Sequence, residues 1–308
     1  MSDLTYDYSL CGWRLASAIA LPELGPWDGD DRAPEVRFVL GDVPASLGET
    51  LFETPIAQVG ADGRIRFEIE GIAAYLVEGG NHVTIAPQMA VAAPDIRLFL
   101  LGTGLGYLCH QRGMVPIHAA SVEIDGRAVM LAGSSGAGKS TLASAFARRG
   151  FPVLSDDVAP LTLAGPARIL PSLRRIRLWR DSAHHAGWSE GDFEPCREDL
   201  AKFTRALGAA HADRALEPAA LFHLHHTEHG SDEIRFDRLR GAVAVSALRQ
   251  QIYRWRALVG LKTAAGALRR AGAAAERIPR HFEIRRPIDF RRLDDTIDAI
   301  VETVRAEA

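Results

Sequence analysis

The sequence predicts an α/β fold, a mixed sheet built around a phosphate-binding loop and preceded by a small β-rich domain. Three observations carry that prediction. Gly133 to Ser140 (GSSGAGKS) fills every position of the pattern G-x-x-x-x-G-K-[ST]. The short apolar run Arg127–Ala132 precedes it as a buried strand, and Leu142, Ala145 and Phe146 follow at helical spacing, with Gly150 placed to end the helix. Residues 1–92 hold short β-branched or alternating runs cut by Gly, Pro and Asn. A domain boundary is therefore expected at residue 92, with 93–308 forming the unit that carries the loop.

Composition narrows the function classes. The 308 residues are 47% hydrophobic and 24% charged, which places the chain among ordinary globular proteins. A net charge of −3 argues against nucleic acid as a partner. The three cysteines, Cys11, Cys109 and Cys196, fall at unrelated spacings, so neither a disulfide framework nor a metal pattern follows. The apolar patch from Leu15 to Leu21 stops at Pro22 and is too short for a signal peptide or a membrane span. A cytoplasmic protein is the expectation, with homo-oligomerisation left open.

In the first 92 residues, strands are expected at Glu35–Leu40, Arg64–Ile69, Ala74–Val77 and His82–Ile85, separated by turns at Gly71 and Gly79-Gly80-Asn81. From Pro94 to Arg112 the period becomes helical. Ile96, Leu98, Leu101, Leu105 and Leu108 line one face, and Gly102, Gly104 and Gly106 weaken it unless they permit close approach to another element. This segment is expected to link the domains and to pack under the core sheet.

The next stretch carries the chemistry. Asp125-Gly126 is a two-residue turn signal, so Ile117–Ile124 and Arg127–Ala132 should form a hairpin. Counting back from the turn sets Ile124 opposite Arg127 and His118 beside Gly133, at the mouth of the loop. Gly133, Ser134, Ser135, Gly136, Ala137, Gly138, Lys139, Ser140 and Thr141 then form a cradle for a nucleoside triphosphate. Lys139 would reach the β- and γ-phosphates and the Ser140 hydroxyl would join a Mg²⁺ shell. The run from Phe151 to Leu154 is a further strand ending in Ser155-Asp156-Asp157. At a strand's carboxyl end both carboxylates should face the crevice, one to hold Mg²⁺ and one to take the proton of an attacking hydroxyl.

Beyond the Asp pair, strands are expected at Leu161–Leu163 and Ala167–Leu170 around Gly165-Pro166. From Arg175 the alternation of basic and apolar residues reads either as an edge strand with a solvated basic face or as Arg174, Arg175 or Arg177 meeting phosphate or an acidic substrate. Residues 181–217 read as a helical or irregular insertion, and Lys202 sits in an expected helix, Asp199–Leu207, either as a surface lysine or as a residue that reaches the active site. Leu221–His226 alternates like a strand. Its His223 and His225 share a face, but no third metal ligand is fixed. Between Arg249 and Arg292, twelve Arg or Lys face three acidic residues, reading either as a solvated face or as a patch that neutralises an anionic ligand. Arg254 beside Trp255 is the pair to probe there. A strand at Phe282–Ile284 and a helix at Leu293–Val304 are expected to end the fold.

At His118, Gly133–Ser140 and Ser155-Asp156-Asp157 the chain resembles the catalytic domain of bacterial HPr serine kinase/phosphorylase and its shorter relatives. There a histidine precedes the phosphate loop on a hairpin, the loop ends G-K-S, and an alanine- or serine-Asp-Asp triplet closes the next strand. The likeness covers about 45 residues. It implies a P-loop kinase core and Mg²⁺- and ATP-dependent phosphoryl transfer to a serine of a protein or peptide. Asp157 would be the general base, with Asp156 and His118 as its supports. The glutamate-containing, glycine-rich segment that follows the Asp pair in full HPr kinases has no match here. The chain is therefore similar to the family's divergent short members, some of which phosphorylate a C-terminal serine of ribosomally made precursor peptides of the lasso type. HPr itself is the alternative acceptor, and a P-loop NTPase that drives a partner is the alternative class.

Overall fold

The computed structural model describes residues 4–189, 194–195, 201–227 and 231–306. The chain is mixed α/β and divides into two units, Met1–Pro116 with Tyr253–Arg270, and Ile117–Ile252 with Ala271–Ala308. The division falls after Pro116 rather than at residue 92. The reason lies in the helical segment after Pro94, which packs on the first unit's own sheet instead of under the sheet that carries the loop. The Tyr75 hydroxyl donates to the Ile96 carbonyl at 2.9 Å, and the Tyr107 ring meets Phe67 edge-on at 5.3 Å between centroids.

The first unit's sheet is larger than the sequence suggests. Among the described residues it has nine strands, including Val36–Leu40, Ile65–Ile69, Ala73–Glu78 and His82–Pro87 near their expected places. Tyr6–Leu10 and Trp13–Ser17 add a hairpin whose turn, Cys11-Gly12, has positive φ at both residues. The helical segment runs Pro94–Phe99, then a π-helical turn Leu100–Gly104, then Leu105–Gln111. Gly106 explains itself here: a Cβ on it would lie 2.7 Å from the Tyr253 ring. Overpacking of this kind costs about 1–3 kcal/mol, so Gly106→Ala is expected to lower stability by that order in urea unfolding. Arg254 belongs to this same unit, where its guanidinium donates to Thr103 Oγ1 at 2.5 Å and lies 4.9 Å over the Tyr253 ring.

The second unit is organised by a six-stranded mixed sheet. Its order is Val153–Ser155, Ala119–Ile124, Arg127–Ala132, Pro218–His226, His281–Arg286, Arg235–Leu239. The hairpin register pairs Ala119 with Ala132 and Ile124 with Arg127, as the Asp125-Gly126 turn demands. Arg127–Ala132 runs parallel to Pro218–His226, which runs parallel to His281–Arg286. Val153–Ser155 is antiparallel to Ala119–Ile124 and therefore shares their direction. Four strands thus end at one edge of the sheet, where α/β proteins place ligands.

Periodicity explains the packing on that sheet. The helix Lys139–Arg148 buries Leu142, Ala143, Ala145 and Phe146, and the C-terminal helix Leu293–Ala306 buries Ile297, Ile300, Val301 and Val304. Phe222 and Phe282, on adjacent strands, stack at 5.1 Å. Ala159–Thr162 pairs with Arg168–Ile169 across the Gly165-Pro166 turn. One expected helix is absent: Lys202–Ala206 is a strand, paired antiparallel with Arg175–Trp179. No helix among the described residues is long and apolar enough to cross a membrane.

Candidate functional site

Four segments meet at the sheet edge where those strands end. The loop leaves Arg127–Ala132 and turns back to start the helix at Lys139. Gly138 takes φ +88°, a backbone that side chains rarely adopt, and this turn sets the helix N-terminus facing the cleft. Lys139 Nζ donates to the carbonyls of Gly133 at 2.8 Å and Ser134 at 3.2 Å. Ser135, Gly136, Gly138, Ser140 and Thr141 line a cavity of about 160 Å³ together with His118, Asp156 and Asp157. Ala137 does not line it. Its methyl group is buried below the loop, near where a Cβ on Gly133 would lie.

The Asp pair follows the buried strand Val153–Ser155, fixed to its neighbour by a 2.6 Å contact between the Ser121 and Ser155 hydroxyls. The two carboxylates have opposite electrostatics. Asp156 is 4% exposed, and burial raises its pKa, although the adjacent Ser140 hydroxyl and Arg177 favour the ionised form. Its Oδ2 accepts the Arg177 backbone N–H at 2.8 Å, while its Oδ1 is buried and has no hydrogen-bond partner among the described residues. Asp157 pairs through Oδ2 with the Arg177 guanidinium. Burial pushes its pKa up, but Arg177, His118, Arg175 and Lys202 together outweigh burial and hold it well below the usual carboxylate range.

The hairpin pairing ends at Ala119 and Ala132, so the expected strand Ile117–Ile124 is shorter than the count predicts: His118 sits at a bend just before it, its N–H donating to the Gln251 carbonyl at 2.7 Å. Its Nδ1 lies 3.2 Å from the Asp157 carbonyl and 3.6 Å from Asp157 Oδ1. Burial lowers its pKa more than Asp157 raises it, which favours the neutral imidazole. Lys139 is lowered as well, again chiefly by burial, against the pull of Asp157 and Asp156.

No protein-family model matches the chain, and no curated protein matches it.

The site therefore stands on its own geometry. Of the residues singled out in the sequence, His118, Ser135, Gly136, Gly138, Lys139, Ser140, Thr141, Asp156 and Asp157 line the cavity, whereas Gly133, Ser134 and Ala137 do not. Others were missed or misread. Arg175 and Arg177 are 6% and 8% exposed, so the solvated basic face is wrong for both. Lys202 lines the cavity and is not a surface lysine on a helix, because its strand is zipped to Arg175–Trp179. Trp179 and Ser182 also line it, with Ser182 Oγ 3.0 Å from Thr141 Oγ1 and Lys202 Nζ 5.8 Å from the Trp179 ring. Alternating Arg and apolar residues were the available signal for Arg177; for Ser182 there was none. His223 stacks on His281 at 6.1 Å and burial lowers its pKa to about 3, as befits a neutral core histidine.

The donor set fits a divalent cation. Ser140 and Asp156 are adjacent, both oxygen ligands, and the unpartnered, buried Asp156 Oδ1 is the kind of atom a hard cation satisfies.

Proposed function

We propose that this chain is a Mg²⁺- and ATP-dependent kinase of the HPr kinase-like type, which transfers the γ-phosphoryl group to a serine hydroxyl of a protein or peptide. One observation carries the reading. A phosphate-loop lysine, a serine–carboxylate pair and a second carboxylate held ionised by an arginine all line one cavity. A loop that only binds nucleotide has no use for the second carboxylate and its histidine.

Ser140 and Asp156 would hold Mg²⁺, which supplies charge neutralisation on the phosphates. Lys139 would bind the β- and γ-phosphates once drawn off its loop carbonyls. Asp157 would orient the acceptor hydroxyl and accept its proton. Its weak basicity is compatible with that role, because phosphoryl transfer passes through a loose transition state in which the nucleophile needs little activation. His118 positions Asp157 through its backbone and carboxylate contacts.

The acceptor to test first is a ribosomally made precursor peptide ending in serine, with HPr beside it. Supporting this order are the chain's resemblance to short family members and its lack of the glycine-rich segment of full HPr kinases. Protein, Mg²⁺ and γ-labelled ATP are offered each acceptor, and the products are read by mass spectrometry. Phosphoserine on either one is the expected result. Phosphate release with neither acceptor modified would replace the kinase by an NTPase.

A further inference from the structure

Behind the loop stands a buried arginine that the mechanism above does not use. Arg286 ends the strand His281–Arg286 and is 4% exposed. Its Nη2 donates to the Ala137 carbonyl at 2.9 Å and its Nη1 to the Pro287 carbonyl at 3.3 Å, while its Nε has no partner among the described residues. No carboxylate among them pairs with it. Burial lowers its pKa to about 10, which leaves it cationic at neutral pH. A Cβ on Gly138 would collide with Nη2, so the guanidinium lies directly against the loop.

A buried cation with only carbonyl partners is costly, and it persists where something else is gained. Peptide geometry shows what is gained. The Ala137–Gly138 peptide is trans, so holding the Ala137 carbonyl outward on Arg286 turns the Gly138 N–H the opposite way, toward the concave side of the loop. That is the direction from which backbone N–H groups of a nest meet an anion.

We infer that Arg286 is a positioning residue for the phosphate loop: it fixes the Ala137–Gly138 peptide for anion binding and places an uncompensated positive charge behind it that bound polyphosphate neutralises. The inference rests on the nucleotide-binding reading. It differs from a structural role in one readout. A structural arginine stabilises the free and the nucleotide-bound protein alike, whereas Arg286 would stabilise chiefly the bound one.

The test is calorimetric affinity for a non-hydrolysable ATP analogue with Mg²⁺, together with Tm with and without it, for wild type, Arg286→Met, Arg286→Lys and Lys139→Ala. Expected for Arg286→Met is a Kd raised at least about tenfold, with the Tm of the free protein unchanged or higher and the nucleotide-induced rise in Tm diminished. Arg286→Lys keeps the charge but not the fork, and should recover only part of the affinity. Equal Tm losses in the free and bound forms of Arg286→Met, with Kd unchanged, would overturn the inference. Should Arg286→Met not fold, wild-type affinity in Arg286→Lys would overturn it and weakened affinity would uphold it. Absence of binding by wild type would refute the nucleotide reading itself. Binding by wild type that is lost in Lys139→Ala but intact in the Arg286 variants would refute only the present inference.

Discussion

Asp157→Asn is expected to lower kcat for phosphoryl transfer by about 10²- to 10⁴-fold, the range that loss of a positioned proton acceptor produces. Nucleotide affinity should change little, because Lys139, Ser140 and Asp156 are untouched. Asparagine keeps the shape and an oxygen to accept from Arg177, but carries no charge and takes no proton. Single-turnover transfer from labelled ATP, set beside binding of the same nucleotide, separates the two effects. A variant that transfers phosphate at the wild-type rate would move the base elsewhere, with His118 the nearest alternative.

Arg177→Met is expected to be the costliest substitution for stability. The side chains of Arg177 and Asp157 are 10% and 22% exposed, and removing one partner strands the other's charge. Fully buried pairs lose roughly 3–5 kcal/mol on such a change; the partial exposure of Asp157 brings the expected loss to about 2–4 kcal/mol in denaturant unfolding. The variant also has a pH signature. In the wild type the folded pKa of Asp157 is depressed, so its contribution is fully present above the unfolded value of about 3.9 and is lost as pH falls through the folded value below it. Without Arg177, the largest of the influences that oppose burial is gone and the pKa rises. Activity should then fall on the acid side at a higher pH than in wild type, which a pH–rate profile would read directly. An unchanged profile would mean that Arg177 does not set the ionisation of Asp157.

What the sequence made legible was whatever short-range backbone chemistry dictates. Asp125-Gly126 set the hairpin register from Ala119 to Ile124; the loop pattern set the strand, the turn and the helix start. The hairpin Tyr6–Leu10 with Trp13–Ser17 escaped notice because its turn begins with Cys11 at φ 57°, where Asn or Asp is the usual signal. Asp199–Leu207 read as helical; residues 199 and 200 lie outside the described residues, and at Lys202–Ala206 a pairing with Arg175–Trp179 overrode that preference. Arg286 reaches the loop only because three parallel strands stand side by side, an order that no local pattern encodes.

Arg177 carries two contacts of different heritable kinds. Its hydrogen bond to Asp156 is made by the backbone N–H, which every residue except proline supplies, although its charge also favours the ionised Asp156. Its hold on Asp157 is made by the guanidinium and belongs to the side chain. Drift at this single position can therefore release the second carboxylate while the first keeps its hydrogen bond, and only proline would remove both contacts.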